Sequence, residues 1–510
     1  MRLAPARQGF YMGDMFSRAA ARHGDVPVIL DRPLDVAPDL GTEHTYTSLA
    51  EIVDRLTDQL WESGVRPGQQ VAIHKTDNID IALLACALSR IGAVPALLSP
   101  GLDASVVSIL LTRLERPWLV TDNAKLTTLT DLAGCTRGVI EVPLAPATAG
   151  TKAIGVRRSP REPALITHSS GTTDVPKLAV HCPQALWNRL APQKILALPV
   201  RGETAALCVS YVHSRFYHAL GVFLSGGSPL LLLVDHDPAS VGPLFARWKP
   251  GVVETHPNTF VLWEDLADAP GAPLSNVRCY GSTFDAIHPR TVQRLLGASR
   301  RPFPWLCQLY GQSETGPAAV RWFTRRGADR GNGRLVGVGI PGFTKIRVTD
   351  DAGRPCPPGE VGHIEVKTRG RILTYQNARG TFAAQLNGDW WRMGDLGRRS
   401  WWGGLQLVDR EIDRIDTVDS NLAIEDVLMS RLEELREIIL VPGANGTPLP
   451  VVCTRDGSPL DPARWREATA DLPEMDEPRQ WAFDDLPRTS TWKIKRVVLA
   501  GMLATEVAGG

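Results

Sequence analysis

Between residues 45 and 100 the spacing of the apolar residues switches back and forth between helical and extended, and this alternation constrains the fold more than any bulk property. Leu49, Ile52, Val53, Leu56 and Leu60 recur at helical spacing between Ser48 and Gly64. That pattern predicts an amphipathic helix, opened by a capping box of Ser48 and Glu51 and closed by Gly64. QVAIH (70–74) then reads as a strand, DIALLACALSRIG (80–92) as a buried helix and AVPALLSP (93–100) as a second strand. Strands alternating with helices imply a parallel sheet whose crossover helices pack on its faces. The same order returns in 227–256.

The chain has 510 residues, more than one core of roughly 100–200 residues accounts for. The texture changes near Gly333. Residues 344–370 read as strand, turn, strand with Gly and Pro punctuation, which predicts a β-rich subdomain over about 333–408. A helix at 423–435 and further strands follow. The expected division is 1–411 and 412–510, the second part a small α+β unit whose last residues, ATEVAGG, read as frayed.

With 56 basic against 55 acidic residues and a formal charge of +1, the chain lacks the basic excess that nucleic acid or an anionic membrane requires. Eight cysteines, none in a C-x-x-C pair, give neither a zinc ribbon nor a disulfide framework and fit a reducing cytoplasm. The longest apolar run, PLLLLV (229–234), is too short to span a bilayer, and the first residues lack the apolar stretch of a secretory leader.

Several short motifs carry candidate chemistry, each with a plain alternative. HSSGTTDVPK (168–177) follows an apolar run. Its small and hydroxyl residues and Lys177 suit an anion-binding nest, or a polar turn. In LYGQSETGP (309–317) Tyr310 offers a ring to stack on a base and Glu314 a carboxylate for Mg²⁺, or both sit in a solvent loop. Asp395, between two glycines, suits the hydroxyls of a ribose or an Asx turn. Lys493 lies in a basic run near Lys495 and Arg496, and His213 reads equally as a core histidine. GVGIPG (337–342) matches a dinucleotide fingerprint, but Pro341 and the strand-like residues after it exclude the helix such a site needs.

Taken together and in order, these motifs resemble those of the adenylate-forming superfamily of acyl-CoA synthetases, peptide-synthetase adenylation domains and firefly luciferase. The resemblance runs from TYTSLAEIVDRL (45–56) to PRTSTWKIKR (487–496). It implies an α/β fold, with a large N-terminal αβαβα domain, a β-barrel subdomain and a small mobile α+β C-terminal lid. It also implies adenylation of a carboxylate by ATP, followed by displacement of AMP by a thiol. By the same resemblance Ser169, Ser170, Gly171, Thr172, Thr173 and Lys177 form the phosphate loop. Tyr310, Gly311 and Ser313 hold the adenine side, and Asp395 and Arg410 the ribose. Glu314 and Thr173 hold Mg²⁺, and Lys493 steadies the reacting carboxylate and phosphate. His213 stands at the mouth of the acyl pocket. Tyr280, Gly281 and Ser282 line the acyl and adenine pockets, and Ile412 is the hinge.

The sequence departs from the family pattern at several points. Asp174 and Leu178 replace loop glycines beside the terminal phosphates, and Trp492 replaces the glycine before Lys493. A side chain blocks the close approach that glycine permits, and a carboxylate about 4 Å from a phosphate charge adds about 1–4 kcal/mol of repulsion. Asp419 falls where a glycine borders the pantetheine tunnel. The expectation is therefore an acyl-CoA ligase-type enzyme for an apolar carboxylic acid. Its adenylating half is impaired, and it takes a preformed acyl adenylate from an upstream adenylating enzyme and transfers the acyl group to CoA. The alternatives are an ordinary ATP-dependent acyl-CoA synthetase, an enzyme loading a carrier-protein thiol or an amine, and a ligand-binding pseudoenzyme.

Overall fold

The structure is a computed structural model that describes residues 9–130, 132–169, 175–284, 286–328, 332–443, 446–489 and 492–509, with side chains to Thr505. Two large sheets and one small one organise it. A seven-stranded sheet runs in the spatial order Thr374–Tyr375, Leu178–His181, Leu165–His168, Val94–Leu97, Gln70–Ile73, Trp118–Asp122, Gly138–Val142. Its last five strands are parallel. A fourteen-stranded sheet has a parallel part built from Pro27–Leu30, Leu230–Leu232, Ala205–Cys208, Val252–Thr255, Cys279–Thr283 and Trp305–Gln312. From Gly316 to Arg410 its strands are antiparallel.

Helices Tyr46–Glu62, Asp80–Ile91 and Ser214–Gly226 lie between the two sheets, in one apolar cluster with inward residues of both, such as Ile73, Leu97, Leu207 and Leu232. Asp80–Ile91 is apolar on every face because sheets cover it on both sides; Ile81 to Leu88 are all fully buried. Helix Ala104–Arg113 covers the outer face of the smaller of these sheets, and Pro238–Trp248 and Pro289–Ala298 that of the larger. The layering is therefore αβαβα. Strands buried on both faces read as continuous apolar runs, as expected of parallel sheets.

Two boundaries differ from expectation. The first long helix begins at Tyr46, and its capping box pairs Thr45 with Ser48, not Ser48 with Glu51: the Thr45 hydroxyl accepts from Ser48 N at 3.2 Å and the Ser48 hydroxyl from Thr45 N at 2.9 Å. Starting there buries Tyr46 and lets its hydroxyl donate to Ser228 O at 2.6 Å. The backbone is helical over Arg496–Gly509, so the helix takes in most of the residues expected to fray; Gly510 lies outside the described residues. Leu499 and Leu503, one turn apart, pack into an apolar cluster with Ile439 and Val451, and Arg496 donates to Glu425 at 2.9 Å.

Residues beyond 412 build a three-stranded sheet, Leu435–Pro442, Pro448–Thr454 and Arg479–Gln480, with helix Asn421–Arg431 on one face and Arg496–Gly509 on the other. This unit is tied firmly to the larger one. Val261 is buried in its core, and Glu264, 1% exposed, accepts from Arg455 at 2.7 Å. The Arg290 guanidinium donates to the carbonyls of Met429 at 3.1 Å and Leu432 at 3.3 Å, and also to that of Leu435. Among the described residues no helix is long and apolar enough to cross a membrane. Arg290→Ala is expected to cost about 2–4 kcal/mol and to loosen the C-terminal unit first. Hydrogen exchange should show residues 426–441 losing protection before the parallel strands do.

Candidate active site

A cavity of about 600 Å³ opens where the carboxyl ends of the parallel strands meet the C-terminal unit, the usual ligand position in such sheets. Ser169 and Lys177, His213 and Arg215, Thr283 and Phe284, Gly311 to Glu314, Gly394, Arg410, Ile412 and Lys493 all line it. The sequence motifs, far apart in the chain, thus converge on one space.

Ser169 and Lys177 close the base of the candidate phosphate loop. Ser169 N donates to Lys177 O at 2.8 Å, and the Ser169 hydroxyl accepts from Lys177 N at 3.0 Å. Ser170, Gly171, Thr172, Thr173 and Asp174 lie outside the described residues. Leu178, expected to crowd a phosphate, does not: strand pairing with His168 turns its side chain into the core, where it is 1% exposed. The ammonium of Lys177 stands 5.5 Å above the Tyr375 ring. His168, which the sequence reading passed over, bridges inward. Its Nε2 accepts from Ser99 N at 3.1 Å, so Nδ1 carries the proton and donates to Ser169 O at 2.9 Å. Burial holds its pKa below the ordinary value.

Tyr310 and Asp395 stand just behind the lining: the Tyr310 hydroxyl donates to Asp395 Oδ2 at 2.6 Å, while Arg410 Nε, on the cavity wall, stands 3.7 Å from Asp395 Oδ1. Asp395 and Arg410 are direct partners on adjacent antiparallel strands. Burial and the Asp395 charge push the Tyr310 hydroxyl pKa well up, so it stays a donor.

Glu314 is buried, and its Oε1 accepts from the Tyr375 hydroxyl at 2.6 Å. The carbonyls of Ser313 and Glu314 each accept from Arg189 at 3.0 Å, and Arg189 Nε donates to Gly370 O at 2.6 Å. Desolvation lowers the Arg189 pKa to about 10, with Glu314 opposing. A carboxylate on the wall of this cavity is the donor type Mg²⁺ takes, so Glu314 fits that role. Its expected companion, Thr173, is outside the described residues.

His213 Nδ1 accepts from Arg215 N at 3.0 Å, so Nε2 carries the proton and donates to the Ser313 hydroxyl at 2.9 Å. Burial, then the Arg189 charge, push its pKa well down, so the ring is neutral. It meets the Phe284 ring edge-on at 4.5 Å. Three residues expected beside it sit elsewhere. Tyr280 faces the outer helices, donating to Leu295 O at 3.0 Å and packing on Phe260 at 5.9 Å; side chains alternate along a strand, and its phase points away. Gly281 faces inward but meets Glu254, not the cavity. Ser282 is fully buried. The cavity there is not purely apolar either: Arg215 lines it, bonded through Nε and a terminal nitrogen to Glu254 at 2.5 and 2.7 Å.

Trp492 does not displace Lys493. It holds the left-handed conformation usual for glycine, at φ +57°. Its carbonyl accepts from Asn258 at 2.6 Å, and its indole packs 4.2 Å from the His236 ring, leaving Lys493 on the cavity wall. Ile412 lies at the rim and is 55% exposed.

Residues 16–376 match the family model of AMP-binding enzymes. Over 543 residues and 98% of both chains, the sequence is 54% identical to a 3-amino-2-hydroxy-4-methoxybenzoate diazotase of Streptomyces cremeus. It is 25% identical to a 3-aminoavenalumate diazotase of a Streptomyces species over 84% of this chain and 80% of that one. In fold it resembles a benzoate CoA ligase of Burkholderia xenovorans LB400, with a TM-score of 0.80 at 19% identity, covering 96% and 99% of the two chains. Tyr310→Phe, which keeps the ring and removes the donor to Asp395, is expected to weaken AMP binding by about tenfold, measured by calorimetric titration; unchanged affinity would detach that contact from the nucleotide seat.

Proposed function

Because the chain belongs to the AMP-binding enzyme family, we propose that it is an ATP-dependent diazotase, an adenylating enzyme that converts the amino group of an aminohydroxybenzoate into a diazo group. The observation that carries this reading is the end-to-end similarity to the Streptomyces cremeus diazotase. The chemistry needs a second, electrophilic nitrogen. Nitrite supplies it and, like a carboxylate, offers a nucleophilic oxygen. That oxygen attacks the α-phosphorus of ATP; the bond to the bridging oxygen breaks and pyrophosphate leaves with the electron pair. The amine nitrogen then attacks the nitrosyl nitrogen, the N–O bond to phosphate breaks, and AMP departs. The amine sheds one proton in that attack; its return to the nitroso oxygen, with the remaining N–H proton, lets water leave and gives the diazonium, and loss of the phenolic proton gives the neutral diazo product. No oxidant or reductant enters.

In this reading Lys177 neutralises the terminal phosphates, and Tyr310, Asp395 and Arg410 seat the nucleoside. Lys493 offsets the charge that builds on the α-phosphate during adenylation. Mg²⁺ at Glu314 would supply further phosphate neutralisation. Residues 412–510 act as the lid, with Ile412 its hinge. Poor use of ATP with carboxylic acids remains expected, because the carboxylate is not the group activated. A CoA-ligase reading draws support from the fold shared with the benzoate CoA ligase, while Asp419 at the tunnel glycine counts against it.

Pyrophosphate–ATP exchange is expected with nitrite and not with a panel of carboxylic acids, and mass spectrometry of ATP, nitrite and an aminohydroxybenzoate should reveal the diazo product. A CoA thioester formed from the same acid and ATP, with no diazo product, would establish the ligase reading instead. Lys493→Ala is expected to slow nitrite-dependent exchange by about 10²–10³-fold, roughly 3–4 kcal/mol of transition-state stabilisation.

A further inference from the structure

A diazotase has a recognition problem that an acyl-activating enzyme lacks. An acyl-activating enzyme consumes the carboxylate of its substrate at the phosphate. A diazotase keeps the carboxylate intact in the product, so that group needs a separate anchor. Resting on the diazotase reading, we propose that Arg215, braced by Glu254 and Gln193, is that anchor and binds the substrate carboxylate.

Arg215 is the second residue of helix Ser214–Gly226 and lines the cavity with its side chain 13% exposed. Glu254, 3% exposed, holds it by two bonds, and Gln193 accepts a third from the other terminal nitrogen. A guanidinium has five N–H donors. Three are taken, and among the described residues two remain, one on each terminal nitrogen, on a side chain whose orientation is already fixed. Donors on both terminal nitrogens of a rigid fork match a carboxylate better than a single hydroxyl.

The position suits an anchor distinct from the reacting centre. Glu254 pairs in register with Gly281, two residues before Thr283 at the cavity wall. That sets Glu254 roughly 6–7 Å before Thr283 along the strand direction, behind the cavity lining, with Arg215 reaching from it to the cavity. The neighbouring strand is shaped to hold Glu254: a Cβ on Gly281 would come within 3.1 Å of Glu254 Cγ. A buried ion pair is costly compared with apolar packing and is a weak source of stability. Here the pair holds the guanidinium aimed while it is partly out of water.

The test uses the full-length enzyme with ATP, nitrite and two amines, 3-amino-2-hydroxybenzoate and 2-aminophenol, which differ only in the carboxylate. The readout is the ratio of their kcat/KM values. Arg215→Gln is expected to lower that ratio by about 10²-fold, mostly through KM for the carboxylated amine, with Arg215→Lys intermediate. Because Arg215→Gln leaves Glu254 buried without its partner, the charge-balanced double variant Arg215→Gln/Glu254→Gln is run beside it and should show the same collapse. A ratio that stays at the wild-type value while both rates fall would reduce Arg215 to a structural role and overturn the proposal. If the wild type makes no diazo product from either amine, the diazotase reading itself has failed. Calorimetric titration of hydroxybenzoates against the matching phenols, with AMP present, then decides for Arg215: loss of the carboxylate-dependent affinity in Arg215→Gln upholds the anchor, and its retention refutes it.

Discussion

The geometry of the cavity depends on one buried cation. Arg189 leaves helix Pro183–Leu196 and spends its donors on the carbonyls of Ser313, Glu314 and Gly370, with the Ser214 hydroxyl at 3.4 Å. It thereby fixes the loop carrying Glu314, the residue to which His213 donates, and the start of the helix carrying Arg215. The slot it fills is shaped by missing side chains: a Cβ on Gly316 would lie 2.6 Å from its Cδ, and one on Gly370 2.8 Å from its Cγ. Gly316 also has φ +70°, a conformation glycine adopts without strain. A charge this deep is tolerable only when every face of it is hydrogen-bonded, and the irregular loops around the cavity supply the carbonyls that do so.

The layered sheets explain why the site forms where it does. Parallel strands end together, and their exit loops gather over one edge. Residues as distant as Ser169, His213 and Glu314 are brought there by topology, and Lys493 by the docked C-terminal unit.

How much of this was legible in the sequence follows from the physics of each residue. The helix–strand alternation read correctly because it changes the period of the apolar pattern. The motif residues Ser169, Lys177, His213, Glu314, Arg410 and Lys493 all reached the cavity wall, and Asp395 its Tyr310 partner. Tyr280 was misplaced because a strand buried on both faces has no polar alternation to reveal its phase. Leu178 was misjudged for a related reason: a position that is glycine in the family pattern is here already in the strand, facing inward. Trp492 looked like an obstruction, yet His236 and Asn258 give its indole and carbonyl a berth that only the folded chain reveals. Arg189 gave no signal at all. An arginine in a helical stretch reads as a solvent-facing residue, and only the convergence of three distant loops turns it into a keystone.

The contacts that bind the C-terminal unit have a bearing on water. An anhydride between an oxyanion and AMP hydrolyses readily, and a diazo compound is easily lost to stray nucleophiles. Val261 in the core of the C-terminal unit, Glu264 against Arg455 and Asn258 under Trp492 all come from one short stretch of the large unit. Prying that unit away would wet an apolar side chain and strand a buried carboxylate together. For the reaction proposed above, such a seam is the equivalent of a gasket: a docked C-terminal unit lengthens the dry interval during which a labile species can meet its intended partner before solvent does.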